Sequence, residues 1–261
     1  MNRLLILFLL CGFDMYAWSK NYKYERIKNV AYKKVDDQIL KLDVYVPEGD
    51  GPFPSILVVH GGAWRLGSKG QLAIYARSLA KRGYTCFAIN YRLAPKFKSP
   101  AQTEDCRDAI RWIRTNASKY KANPDLIGAM GYSAGGHLVS MLATTGLTKE
   151  SDPKGIGTKI IAAVAGGAPT DFRTVRKKSN ALSYWFGGER NTEPEAYEAD
   201  SPNAFVDKGD SPIFFYNGSV DLLVHPDKHP MVGFRGPIAL YESLKKVNVD
   251  TDLYIGKGAG H

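Results

Sequence analysis

The feature that most constrains this chain is the pentapeptide Gly131-Tyr132-Ser133-Ala134-Gly135, which reads G-x-S-x-G. It lies between an apolar strand-like run, 126–130, and a helix-like stretch, 137–145. A serine in that setting sits on a sharp strand-to-helix turn. Its hydroxyl projects above the sheet edge, and the flanking glycines let neighbouring backbone pass close by.

Three further pieces stand in order around this turn. His60-Gly61-Gly62-Ala63-Trp64 ends the apolar run 56–59. A glycine pair just past a strand exposes backbone N–H groups that can stabilise a developing oxyanion. Asp221 follows the strand-like run 212–216. His261 follows the strand-like run 252–255. Oxyanion loop, Ser, Asp and His thus each fall just past the carboxyl end of an expected strand, the edge where open α/β sheets bind ligands.

The rest of the pattern agrees. Strand-like alternation at 30–34 and 40–46 precedes strands at 52–59, 85–91, 126–130, 160–166, 212–216 and 250–255. Helical spacing marks 70–82, 100–120, 137–145 and 238–247. Strands alternating with helices predict a mostly parallel central sheet flanked by helices on both faces. The segment 168–210 is too long for a plain loop, so a small lid-like helical insertion is expected there, after the sixth strand.

At 261 residues the chain suits one catalytic domain, 18–261, behind an export signal at 1–17. Asn2-Arg3 supplies the positive start and 4–13 a short apolar stretch, with Tyr16-Ala17 before the cleavage point. A lipid-anchored form through Cys11 competes, although Leu10 suits that signal poorly. The product is expected to be secreted or periplasmic. Cys86 and Cys106 lie in apolar or amphipathic segments, as buried thiols do. Three dispersed cysteines form no zinc pattern, and no metal or organic cofactor is implied. The formal charge is +9. Basic clusters at 20–34 and 173–178 read as solvated surface, with an anionic partner as the sharper alternative. No recognition motif accompanies the charge, which argues against nucleic acid.

The candidate chemistry is nucleophilic. Ser133 needs a base to take its proton. His261 is the candidate base, in competition with His60, His137, His225 and His229. Asp221 is the candidate for holding the imidazole tautomer, with Asp171 and Asp227 as rivals. Backbone N–H groups of Gly62 and Ala134, with Ala63 as a third, are the candidate oxyanion donors. Trp64, Tyr132 and Trp185 are candidate substrate contacts, and Tyr184 and Phe186 share the aromatic insertion.

The oxyanion loop, Asn90-Tyr91-Arg92-Leu93-Ala94-Pro95, the stretch 105–113 and Gly131 to Leu138 together resemble α/β-hydrolase fold esterases. They are similar to secreted bacterial acetylxylan and feruloyl esterases and to the wider hormone-sensitive-lipase-like carboxylesterase group. The resemblance covers about residues 27–261. It implies a serine ester hydrolase removing short acyl groups, acetyl or feruloyl, from plant polysaccharide such as xylan. A general carboxylesterase for small esters, or a catalytically inactive binding relative, are the other readings it implies. Two departures stand out. No helical cap precedes the oxyanion loop, which favours an open site. The fold normally continues into a helix after the catalytic histidine, so either the sequence is a fragment or His261 sits on a frayed terminus whose carboxylate favours imidazolium.

Overall fold

A computed structural model describes residues 21–261, so the expected signal at 1–17 lies outside the described residues. Strands β1 (Tyr24–Val35) and β2 (Gln38–Pro47) form a hairpin through Asp36 and Asp37. Asp36 takes φ 49°, the left-handed region that Asp tolerates in a tight turn. The remaining strands are β3 (Phe53–Val59), β4 (Thr85–Ile89), β5 (Ala122–Tyr132), β6 (Ala163–Gly166), β7 (Ile213–Gly218) and β8 (Thr251–Gly256). They pair in the order β1-β2-β4-β3-β5-β6-β7-β8. Only the β1/β2 and β2/β4 pairs are antiparallel.

The central strands explain the apolar runs. Every residue of β4 is buried, as expected for a parallel strand covered on both faces. One face carries α2 (Ala101–Asn116), α3 (Ala134–Thr145) and α6 (Pro237–Lys246), which bury Ile110, Leu138, Leu142 and Leu240 in the main core. The other face carries α1 (Ala73–Ala80), whose Ala73, Ala76 and Ala80 pack with Val58 and Ala88. The helix expected over 100–120 ends as α2 at Asn116 and tightens into a 3-10 turn, Ala117–Tyr120. The strand expected over 160–166 is confined to its last four residues.

The insertion after β6 contains α4 (Ser183–Phe186), α5 (Pro194–Ala199) and a 3-10 turn, Pro202–Ala204. Part of it joins the core. Phe172, Trp185, Phe186 and Tyr197 are buried in the same cluster as α2 and α3. These aromatics tie the segment to the body of the domain, while much of 176–181 and 188–196 is exposed.

Asp105 explains two of the stretches singled out in the sequence. Its buried carboxylate takes Arg92 Nε at 2.9 Å, the Arg92 backbone N–H at 2.8 Å and Lys33 Nζ at 2.6 Å. One carboxylate thus ties β1, the loop after β4 and α2 together. Asp108 and Asp152 extend the network through Arg111. On β1, Arg26 pairs with the buried Asp43 at 2.6 Å. Part of the basic cluster at 20–34 is therefore engaged in structural ion pairs. Arg173, in the other cluster, is held by Asp171.

Candidate active site

The serine turn is built by close approach. Ser133 joins β5 to α3 with φ 57° and ψ −121°, backbone angles that a side-chain-bearing residue seldom adopts. Its N–H donates to the Gly166 carbonyl at 2.8 Å, and its carbonyl accepts the His137 N–H at 3.0 Å. A Cβ on Gly135 would lie 2.1 Å from the Val59 carbonyl oxygen. Only glycine therefore lets the start of α3 sit against the end of β3. Gly61 also faces the turn, since a Cβ there would lie 3.2 Å from Ser133 Cβ.

The loop after β3 is tight and strained. The Gly62 carbonyl accepts the N–H groups of Arg65 at 3.1 Å and Leu66 at 2.9 Å. Gly62 needs φ 111°, and a Cβ on it would strike the Leu66 carbonyl oxygen at 2.2 Å. Ala63 and Trp64 follow at φ 50° and 58°. Among the described residues no acceptor takes the N–H of Gly62 or of Ala63. Two backbone donors are thus left open beside Ser133, the arrangement that favours developing negative charge.

Asp221 and His261 meet at the ends of β7 and β8. His261 Nδ1 lies 2.7 Å from Asp221 Oδ2. Asp221 is fully buried. Its Oδ1 accepts the N–H groups of Leu223 at 2.9 Å and Val224 at 2.7 Å. Those bonds fix the carboxylate plane. A carboxylate oxygen accepts, so the contact calls for the proton on Nδ1, and in the neutral imidazole that tautomer leaves the lone pair on Nε2. The His261 ring centroid is 5.0 Å from that of Tyr132, the residue before Ser133. A Cβ on Gly167, the residue after the acceptor of the Ser133 N–H, would lie 3.0 Å from His261 Cε1. The histidine thus stands beside the serine turn. The Ser133 hydroxyl itself makes no hydrogen bond among the described residues.

The rival residues are engaged elsewhere. Asp171 holds Arg173 Nε at 2.9 Å and Nη2 at 2.8 Å and accepts from Asn203. Asp227 pairs with Arg235 on the surface. His60 is buried and stacks on Tyr91 at 4.2 Å; burial drives its pKa down to about 4. The His229 Nδ1 accepts the N–H groups of Met231 and Val232.

Two of the expected substrate contacts are corrected. Trp64 and Trp185 are 4% and 0% exposed and stack on each other at 3.7 Å and 7°. They are core. Two adjacent aromatic-rich segments read alike whether they line a pocket or fill a core, because both uses need large apolar area. Tyr132 is half-buried and lies against both His261 and Tyr216. Leu222 and Leu223, which follow Asp221 directly, are 78% and 64% exposed. Cys86 and Cys106 are both free and buried, as their surroundings suggested.

The sheet order, the serine turn and the loop after β3 define the α/β-hydrolase fold as it occurs in esterases of the hormone-sensitive-lipase-like group. Within that class the chain belongs to the BD-FAE family, whose sequence profile matches residues 42–232. A probable carboxylic ester hydrolase of Mycobacterium tuberculosis, LipM, is 31% identical over 183 residues, which is 67% of this chain and 42% of that protein. The esterase LipC of the same organism is 28% identical, over 78% of this chain and 53% of its own length. The chain thus spans about half the length of these curated relatives. A thermophilic esterase of Thermogutta terrifontis superposes with a TM-score of 0.73 at 26% identity, covering 92% of this chain and 83% of that one.

Proposed function

We propose that this chain hydrolyses carboxylic esters through an acyl-enzyme. Ser133 attacks the ester carbonyl. His261 Nε2 takes the serine proton and returns it to the leaving alcohol. Asp221 holds the imidazole and stabilises the imidazolium. The N–H groups of Gly62, Ala63 and Ala134 receive the oxyanion. Water then repeats the sequence on the acyl-serine and releases the acid. The observation that carries this reading is the 2.7 Å contact from His261 Nδ1 to an Asp221 carboxylate already fixed by two backbone donors, beside the strained serine turn.

The substrate reading is finer. Short acyl groups, acetyl or feruloyl, on a plant polysaccharide such as xylan fit the family membership, and the exposed Leu222 and Leu223 beside Asp221 offer an apolar surface to a bulky ester. In this reading residues 1–17 direct the protein to the periplasm or out of the cell. Small esters are the alternative substrate class. A binding relative without catalysis is disfavoured by the Asp221–His261 pairing.

The test is acetate release from acetylated xylan beside hydrolysis of a short aryl acetate, with Ser133→Ala as control. Turnover of both, abolished in the variant, is expected. Turnover of the aryl ester alone moves the substrate to small esters. Full activity in Ser133→Ala sinks the mechanism.

A further inference from the structure

Ala63 and Trp64 hold left-handed backbone angles without being glycine. Each such residue is strained and persists only where its surroundings over-determine it. Three grips do so here. The Ala63 carbonyl accepts the Tyr184 hydroxyl at 2.9 Å. The Trp64 carbonyl accepts the Ala94 N–H at 2.9 Å. The Trp64 indole, stacked on Trp185, donates from Nε1 to His137 Nδ1 at 3.2 Å.

His137 makes the third grip specific. It is fully buried on α3, and its own N–H donates to the Ser133 carbonyl. Its Nε2 lies 2.7 Å from the Asp200 carbonyl oxygen. A carbonyl only accepts and an indole N–H only donates. Both contacts are satisfied by one species alone, the neutral imidazole with its proton on Nε2. The Asp200 carboxylate is anchored in turn by the hydroxyls of Ser99 and Thr103. The insertion therefore sets the tautomer of a histidine that rides on the nucleophile's own helix.

We propose that His137 is a positioning residue for ester hydrolysis, holding Trp64 so that the strained Gly62–Trp64 backbone keeps its donors aimed at the oxyanion formed on Ser133. The inference rests on the esterase reading above. Removing one oxyanion donor outright costs roughly 10²–10³-fold in kcat, and a displaced loop costs part of that.

The experiment compares His137→Asn, His137→Gln, Trp64→Phe and the Trp64→Phe/His137→Gln double variant, with active sites titrated by a fluorophosphonate and folding checked by circular dichroism. Asn places its oxygen where Nδ1 stands and keeps an acceptor for Trp64; Gln places its amide near Nε2 and loses it. The expected result is kcat on an aryl acetate falling about 10–50-fold for His137→Gln, with KM within about two-fold, and within about three-fold of wild type for His137→Asn. Trp64→Phe should match His137→Gln, and the double variant should be no slower than either, because both remove one interaction. Inhibition by a small boronic acid, which places an oxygen in the oxyanion site, should weaken in step with kcat. Unchanged kcat in folded His137→Gln or Trp64→Phe overturns the inference, as do equal losses in Asn and Gln or multiplied losses in the double variant. A wild-type chain that hydrolyses no ester sinks the esterase reading, and the inference with it.

Discussion

Asp221 shows how far a single residue is constrained by what surrounds it. One oxygen is taken by two backbone N–H groups and the other faces His261 Nδ1. Asn217 Nδ2 braces the same turn by donating to the Val224 carbonyl at 3.0 Å. Asp221→Asn preserves this shape but puts an amide where the proposed mechanism needs a carboxylate to hold the tautomer. In the Ser-His-Asp template that change costs about 10⁴-fold in kcat. We expect a loss of that order on an aryl acetate, with the circular dichroism spectrum unchanged. A loss below about ten-fold would assign the orienting role to another acid. Gly62 is constrained by space and angle together. Gly62→Ala should lose most of its activity in the folded protein, because the new methyl displaces the Leu66 carbonyl and the adjoining donors.

Among elements, α4 carries the clearest consequence. It is a helix of four residues, too short to be stable by itself, and it exists because Trp185 and Phe186 are buried. Trp185 contacts Trp64, Phe172 and Phe186, and its Nε1 donates to the buried Gln102 at 2.9 Å. Trp185→Ala leaves a large void and an unpaired Gln102 amide oxygen. The expected cost is about 3–5 kcal/mol, read as a lower urea midpoint. A residue that touched substrate would instead raise KM and leave the midpoint alone, so the two measurements separate core from pocket directly.

For the whole molecule, acid stability follows from groups buried in their uncharged form. The His60 pKa falls to about 4 through burial, against an ordinary value near 6.5. The unfolded chain binds this proton more tightly, so the stability that neutral His60 contributes is present above about pH 6.5. It is lost as pH falls toward 4, at most about 3 kcal/mol in all. His137, lowered by burial, acts in the same direction. Asp210 opposes them: burial raises its carboxyl to about 6, and its contribution grows as pH falls from 6 toward 4. Below that range the ion-paired carboxylates take over. Asp108, held down to about 2 against burial by Lys154, Lys33 and Arg111, loses its contribution as it is protonated. Urea midpoints should therefore decline from pH 6.5 to 4.5 and fall more steeply below 4. Asp210→Asn should steepen the first decline; an unchanged slope would remove Asp210 from the account.

The alternation of strands and helices, the serine turn, the loop after β3 and the placing of Asp221 and His261 at strand ends were all determined by local pattern. Each depends on residues within a few positions of one another: an apolar run that ends, a glycine where backbone must pass, an aspartate at a turn. What the pattern left open depends on distant partners. Trp64 and His137 stand 73 residues apart, and nothing near either one specifies an indole donating to an imidazole. Trp185 was legible as a large aromatic but not as core, since the surface that buries it comes from α2, α3 and the loop after β3. The basic residues of β1 were legible as charge, while Asp43 and Asp105 arrive only when the sheet closes. Sequence determined which groups stand at the sheet's edge, because strand ends are a local property. Tertiary structure alone decided which of them are exposed and which are held, because burial and pairing belong to the space that distant segments share.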